Sequence, residues 1–219
     1  MKLKIYIHGE KGRMGQELAK LIAADKNISL EENSAKAQVI VDFTSPEGTL
    51  KAIEIAEKNK IPLVSGSTGL SKKEFAALQK LSKKVAVLWA PNMSLGVATL
   101  AQMLKNLSAI SDYDFYIEET HHIHKKDAPS GTALFLQEKL EQSIDKKIKQ
   151  NISLRGGGVF GQHRVVILGP EETLILQHDA LNRTVFARGA ITCAKWICRQ
   201  KAGYYQMGDV LNESKSNAP

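Results

Sequence analysis

Leu3-Lys4-Ile5-Tyr6-Ile7-His8-Gly9-Glu10-Lys11-Gly12-Arg13-Met14-Gly15 is the stretch that decides the fold. Leu3, Ile5 and Ile7 alternate with Lys4 and Tyr6, the period of a strand. Met14, Leu18, Leu21 and Ile22 then share one face of a helix. The glycines lie in the turn between them. Strand, glycine turn and helix in this order form a dinucleotide-binding unit. The glycines close the turn, admit the pyrophosphate to the backbone and let the helix pack on the sheet. The spacing is Gly-x-x-Gly-x-x-Gly, with Lys11 where the usual middle glycine stands. The expected cofactor is NADH or NADPH, contacted by Gly9, Glu10, Lys11, Gly12, Arg13 and Met14.

The pattern continues outward. Gln38 to Phe43, Leu63 to Ser65 and Val85 to Trp89 read as strands. Ser45-Pro46 starts one intervening helix, and the capping box Ser71-x-x-Glu74 starts the next. Strands separated by single helices imply a parallel, Rossmann-like sheet with right-handed crossovers. Ligands on such sheets bind beyond the carboxyl ends of the strands. Gly66-Ser67-Thr68-Gly69 and Ala90-Pro91-Asn92-Met93 follow strands, so Gly66, Ser67, Thr68, Ala90, Pro91, Asn92 and Met93 are further cofactor candidates. Glu31 and Glu32 stand where an acid could hold the adenosine ribose, which favours NAD; Lys11 and Arg13 could instead take a 2′-phosphate. The choice of cofactor stays open.

After Asn92 the pattern changes. A long helix carries Val97, Leu100, Leu104, Leu107 and Ile110, Asp114 to Glu119 is a strand, and Ser130 to Ile144 is a helix. Val159 to Leu168, Thr173 to His178 and Thr184 to Ala187 read as three further strands, and Gly189 to Lys201 as a last helix. The fold class is α/β, with a second α+β domain built on a mixed or antiparallel sheet. The expected domains are residues 1–93, completed by 190–219, for the dinucleotide, and 94–189 for substrate binding and oligomerisation.

Bulk properties exclude several classes. In 219 residues no apolar run approaches the ~20 that span a bilayer. The alternation of Leu3 to His8 is not the continuous apolar centre of a signal peptide, so a cytoplasmic location is the default. Cys193 and Cys198 are five positions apart on one helix, face different ways and match no metal pattern. The net charge of +7 comes from lysines scattered over helices, without an aromatic-rich strand. That is a solvated surface suited to anionic small molecules, and no nucleic-acid or membrane partner is expected.

Glu118-Glu119-Thr120-His121-His122-Ile123-His124-Lys125-Lys126-Asp127-Ala128-Pro129-Ser130-Gly131-Thr132-Ala133 carries the chemistry. It holds three of the six histidines, two lysines and a Ser-Gly-Thr turn opening a helix. Imidazoles move protons near neutral pH, and a helix N-terminus with a lysine opposite holds a carboxylate. Asp127 or Glu119 could orient a histidine, and His124 is as readily a solvated side chain. The run reads as a site for a small anionic substrate, with no metal.

Together these motifs resemble the 4-hydroxy-tetrahydrodipicolinate reductase (dihydrodipicolinate reductase) family over nearly the whole chain. Gly12-Arg13-Met14-Gly15, Asp42-Phe43-Thr44-Ser45-Pro46-Glu47, Gly66-Ser67-Thr68-Gly69, Ala90-Pro91-Asn92-Met93-Ser94, Glu119 to Ala133, Phe160-Gly161-Gln162-His163 and Arg183 to Ala190 are similar to its motifs. Ser67 stands for a threonine and Met93 for a phenylalanine. Many members are longer after the second strand and before Arg155-Gly156-Gly157, so this is a compact form. The resemblance implies a cytoplasmic homotetramer that transfers a hydride from NAD(P)H to a cyclic dicarboxylate, giving tetrahydrodipicolinate and water in lysine and diaminopimelate biosynthesis. It places His121 as proton donor or acceptor, Lys125 as proton donor, and His122, Gly131 and Thr132 at the substrate carboxylates. Two other readings compete: an aspartate-type amino-acid dehydrogenase, and a non-catalytic module that senses dinucleotides or binds nucleic acid.

Overall fold

The computed structural model describes residues 2–216, with side chains through Asn212. In chain order the elements are β1 (Leu3–His8), α1 (Arg13–Ala24), β2 (Ile28–Leu30), β3 (Val39–Asp42), α2 (Pro46–Asn59), β4 (Leu63–Ser65), α3 (Lys72–Ser82) and β5 (Ala86–Trp89). Then come α4 (Leu95–Met103), continued as a 3₁₀ segment over Leu104–Ile110, β6 (Asp114–His121), α5 (Gly131–Ile144), β7 (Gln150–Arg155), β8 (Gly161–Leu168) and β9 (Thr173–Ala180). The chain ends with α6 (Thr184–Ile197), β10 (Gly203–Tyr205) and α7 (Met207–Ser216). It divides into two compact units, one running to Leu95 and resuming at Thr184, the other Gly96–Arg183. Of the segment 190–219 assigned to the first domain, residues 217–219 lie outside the described residues.

The first unit is a six-stranded sheet in the order β10-β5-β4-β3-β1-β2, every pairing parallel. All four residues of β3 are buried, as a central strand covered on both faces requires. Ile40, Leu63 and Val87 pack with Ala52, Ile53 and Ala56 of α2 and with Leu78 and Leu81 of α3. Pro46 opens α2 behind the Ser45 cap, whose side chain accepts from the Gly48 amide at 3.2 Å. The capping box forms, with the Ser71 amide donating to Glu74 at 2.7 Å and Lys73 N to Ser71 Oγ at 3.2 Å. Strand order reverses between β1 and β3, the switch point where open α/β sheets take ligands.

One strand expectation fails. Thr184–Ala187 is not a strand but the first turn of α6, so the helix begins five residues before Gly189. Val185 and Phe186 look strand-like in isolation. Gly189, read as a boundary, is interior to the helix; a Cβ there would fall 1.6 Å from the Met93 carbonyl oxygen. Close backbone approach, not a break in structure, accounts for that glycine. Cys193 is buried in α6 and Cys198 is half-buried one residue past it, and both are free. Burial pushes their thiols up to about 12 and about 11.

In the second unit the sheet order is β7-β6-β8-β9, with β7 parallel to β6 and the other pairs antiparallel. β7 escapes the sequence pattern because Gln150-Asn151-Ile152-Ser153-Leu154-Arg155 is short and largely polar. One sheet face packs on α4, the 3₁₀ segment and α5 through Val97, Leu104, Leu136, Leu140, Phe115 and Val165. Among the described residues no helix is long and apolar enough to cross a membrane.

Candidate active site

Strand alternation builds the site in the second unit. Phe115, Ile117, Glu119 and His121 project from the same face of β6, and all four are buried. The face is apolar under α5 and turns polar where α5 begins. Ser130 caps that helix, its Oγ accepting from Ala133 N at 3.2 Å, while its own amide donates to Glu119 Oε1 at 3.2 Å. The first-turn residues Gly131 and Thr132 are exposed and half-buried, respectively.

Glu119 is the centre of the site. Arg155, at the end of β7, donates to both of its oxygens, at 2.7 and 3.0 Å, and a further hydrogen bond from that guanidinium holds the Asp127 carbonyl at 2.6 Å. His121 Nδ1 hydrogen-bonds to Glu119 Oε2. Burial pushes the Glu119 carboxyl up, but hydrogen bonds from Arg155, Ser153 and His121 outweigh it and hold the group at about 2. An ionised Glu119 can only accept, so Nδ1 carries the hydrogen and the Nε2 lone pair of neutral His121 is free for chemistry. Nε2 lies toward Gly161, where an added Cβ would sit 3.2 Å away. Burial also lowers the His121 pKa; Glu119 opposes this, while Lys125 and Arg155 reinforce it. Lys125 Nζ donates to Asp127 Oδ1 at 2.8 Å.

The sequence-derived substrate residues are not all alike. The His122 ring turns toward His124, 6.2 Å between centroids, and its buried Nδ1 has no partner among the described residues. His124 is exposed. His163 was recognised only as part of a strand motif. It packs edge-on against His121 at 5.1 Å, its Nε2 3.2 Å from Ser130 Oγ. Arg155 was missed because its partner is distant in sequence, although the period-two placement of Glu119 and His121 was readable. Glu119, His121 and His163 bring potential metal ligands within 4.8 Å of one another. A guanidinium already occupies both Glu119 oxygens, which makes this donor set a poor fit for a divalent cation.

The first unit fits a dinucleotide. Among the described residues no side chain caps the N-terminus of α1 at Gly12 and no acid occupies its first turn, leaving amides and dipole for a phosphate. The turn closes through Gly12 N to Gly9 O at 2.9 Å. Gly9 has φ +85°, and a Cβ there would lie 2.5 Å from Thr44 Cγ2. Residues 9–13 are exposed and Met14 is half-buried, whereas Gly66, Ser67, Ala90 and Met93 are buried between exposed Thr68 and Pro91 and half-buried Asn92. Ser67 and Met93 are 2% and 1% exposed, so the surface these loops offer a ligand lies mainly at Thr68 and Pro91. Glu31, not Glu32, directly follows β2, the position of a ribose-binding acid; its carboxylate accepts from Asn33 N at 3.1 Å and pairs with Lys4 at 3.3 Å.

Comparison with known proteins matches both halves of the chain to one family. Residues 29–93 match the family model for the dihydrodipicolinate reductase N-terminus, and residues 96–211 the model for its C-terminus. The chain is 50% identical over 221 residues to the 4-hydroxy-tetrahydrodipicolinate reductase of Bdellovibrio bacteriovorus, covering 96% of each chain. It is 37% identical to that of Anaplasma marginale, over 91% of this chain and 85% of the relative. Its fold is similar to dipicolinate-bound dihydrodipicolinate reductase from Paenisporosarcina sp. TG-14, with a TM-score of 0.79 at 19% identity, covering 94% of this chain and 98% of the other. With both family halves matched and half of all aligned positions identical to a full-length relative, the chain belongs to the 4-hydroxy-tetrahydrodipicolinate reductase (dihydrodipicolinate reductase) family.

Proposed function

We propose that this chain is an NAD(P)H-dependent 4-hydroxy-tetrahydrodipicolinate reductase, forming tetrahydrodipicolinate and water in lysine and diaminopimelate biosynthesis. The observation that carries the reading is the Arg155–Glu119–His121 chain beside Lys125 at the amide end of α5. Bound at Gly9–Met14, Gly66–Thr68 and Ala90–Met93, with Glu31 at the adenosine ribose, the cofactor supplies the hydride. His122 and the amides of Gly131 and Thr132 hold the substrate carboxylates, using the positive end of α5. Lys125 donates the proton that completes reduction of the ring, and its charge stabilises the enamine as negative charge develops. His121, neutral and fixed by Glu119, takes a proton at Nε2 and returns it.

The working form in this reading is a cytoplasmic homotetramer. The sheet face of the second unit opposite α5 carries half-exposed Leu154, Leu168 and Ile175 around the Arg164–Glu118 ion pair, and a partner subunit would cover it. The test is a coupled assay in which aspartate semialdehyde, pyruvate and the upstream synthase supply the unstable substrate. NADH or NADPH should be oxidised, and Lys125→Ala should lower kcat by about 10²-fold or more while cofactor binding persists. Absence of oxidation with either cofactor would overturn the activity; normal turnover in the variant would overturn the role of Lys125.

A further inference from the structure

Asp42 ends β3 with its side chain fully buried. Its partners among the described residues are hydroxyls and one amide. Oδ1 accepts from Thr44 Oγ1 at 2.6 Å and Thr44 N at 3.1 Å. Oδ2 accepts from Thr49 Oγ1 at 2.8 Å, Ser65 Oγ at 2.8 Å and Ser67 Oγ at 2.9 Å. A buried carboxylate is costly unless its lone pairs are used, and an apolar residue would fill the same core position without that cost. Its presence calls for a task that apolar packing cannot perform.

The donors come from four separate places: the loop after β3, helix α2, the end of β4 and the loop that follows it. Ser67 is held from several sides. Its Oγ also accepts from Thr44 N at 2.9 Å, its carbonyl accepts from Trp89 Nε1 at 3.0 Å, and the preceding Gly66 amide donates to Asp42 O at 2.8 Å. Thr44 in turn sets its methyl group against Gly9, where a Cβ would come within 2.5 Å. One carboxylate therefore fixes the Gly66–Thr68 loop directly and the Gly9 turn through Thr44, at the switch point of the sheet.

We propose that Asp42 is a positioning residue for the nicotinamide cofactor, a buried anion that sets two cofactor loops in register with each other. The inference rests on the assignment of those loops to NAD(P)H. Asp42→Asn keeps the shape, but an amide nitrogen in the Oδ2 place offers two hydrogens to the three hydroxyls of Thr49, Ser65 and Ser67, and one in the Oδ1 place faces the Thr44 N–H, so the network cannot close as before in either orientation. In the full-length enzyme, the KM for NADH or NADPH should rise about tenfold or more, while the KM for the cyclic dicarboxylate stays within about threefold. Thr49→Val should show the same split at smaller size, and Thr49→Ser should recover cofactor binding because it restores the hydroxyl.

A folded Asp42→Asn enzyme with wild-type cofactor KM overturns the proposal. So does a parallel change in both KM values, which marks a merely structural role. Should Asp42→Asn not fold, Thr49→Val decides: the split supports the proposal and unchanged cofactor KM overturns it. Fluorescence titration of wild-type enzyme with NADH and NADPH is the control. Failure to bind either removes the cofactor reading itself, and that result is distinct from a loss confined to the variants.

Discussion

At the residue scale, His163 ties the candidate active site to acid stability. Burial and neighbouring His121 push its imidazole down to about 4, against an ordinary value near 6.5. Above about pH 6.5 the ring is neutral in both folded and unfolded chains, and its titration has no effect on stability. As pH falls toward about 4, the unfolded chain takes up a proton that the folded one refuses, and the folded state loses about 3 kcal/mol. Glu119 extends the loss to lower pH: its carboxyl is held at about 2, so its stabilisation is present above the ordinary value of 4.5 and fades below it. His163→Gln should therefore flatten the fall in unfolding free energy between pH 6.5 and 4.5 by up to about one proton's worth of slope, measured by denaturant titration at several pH values. An unchanged slope would remove the buried neutral ring from the account. The run Glu119 to Lys125 made this neighbourhood legible, yet His163 and Arg155 were not, because both reach Glu119 and His121 across strand pairings.

At the element scale, the turn between β1 and α1 shows how far local sequence carries. Its glycines and the following apolar stripe were sufficient to place strand, turn and helix. The reason Gly9 must be glycine lies elsewhere, in its φ of +85° and in Thr44 pressing on it. Gly9→Ala should cost about 1–3 kcal/mol of stability from the left-handed backbone alone. Displacing Thr44 should also raise the Kd for NADH by about tenfold. Thermal unfolding and fluorescence titration check the two effects separately, and wild-type cofactor affinity would show that the turn tolerates a side chain. The helix α6 teaches the converse. Val185 and Phe186 carry strand propensity, but their segment continues into an alanine-rich helix whose close contact with Met93 requires Gly189.

At the scale of the whole molecule, each unit has its own sheet and core, and the second leaves one sheet face uncovered by its own helices. Pairing aligns Ile175 with Val166 and Leu154 with Thr120 on that face. Ile175 is 43% exposed and Leu154 57%. Replacing Ile175 by Lys places a charge among these side chains and should break the proposed homotetramer into smaller species by light scattering at micromolar concentration. A monomeric wild-type enzyme, or an unchanged mass in the variant, would count against assembly through this face. By itself the sequence determined the α/β class, the parallel dinucleotide-binding sheet and the run Glu119 to Ala133, because period, glycine placement and capping act between near neighbours. Only the tertiary structure decided that Arg155 clamps Glu119, that His163 lies against His121, and that Asp42 joins four segments. Those contacts depend on strand register and on which loops meet at the end of a sheet, and neither is encoded within any one stretch of chain.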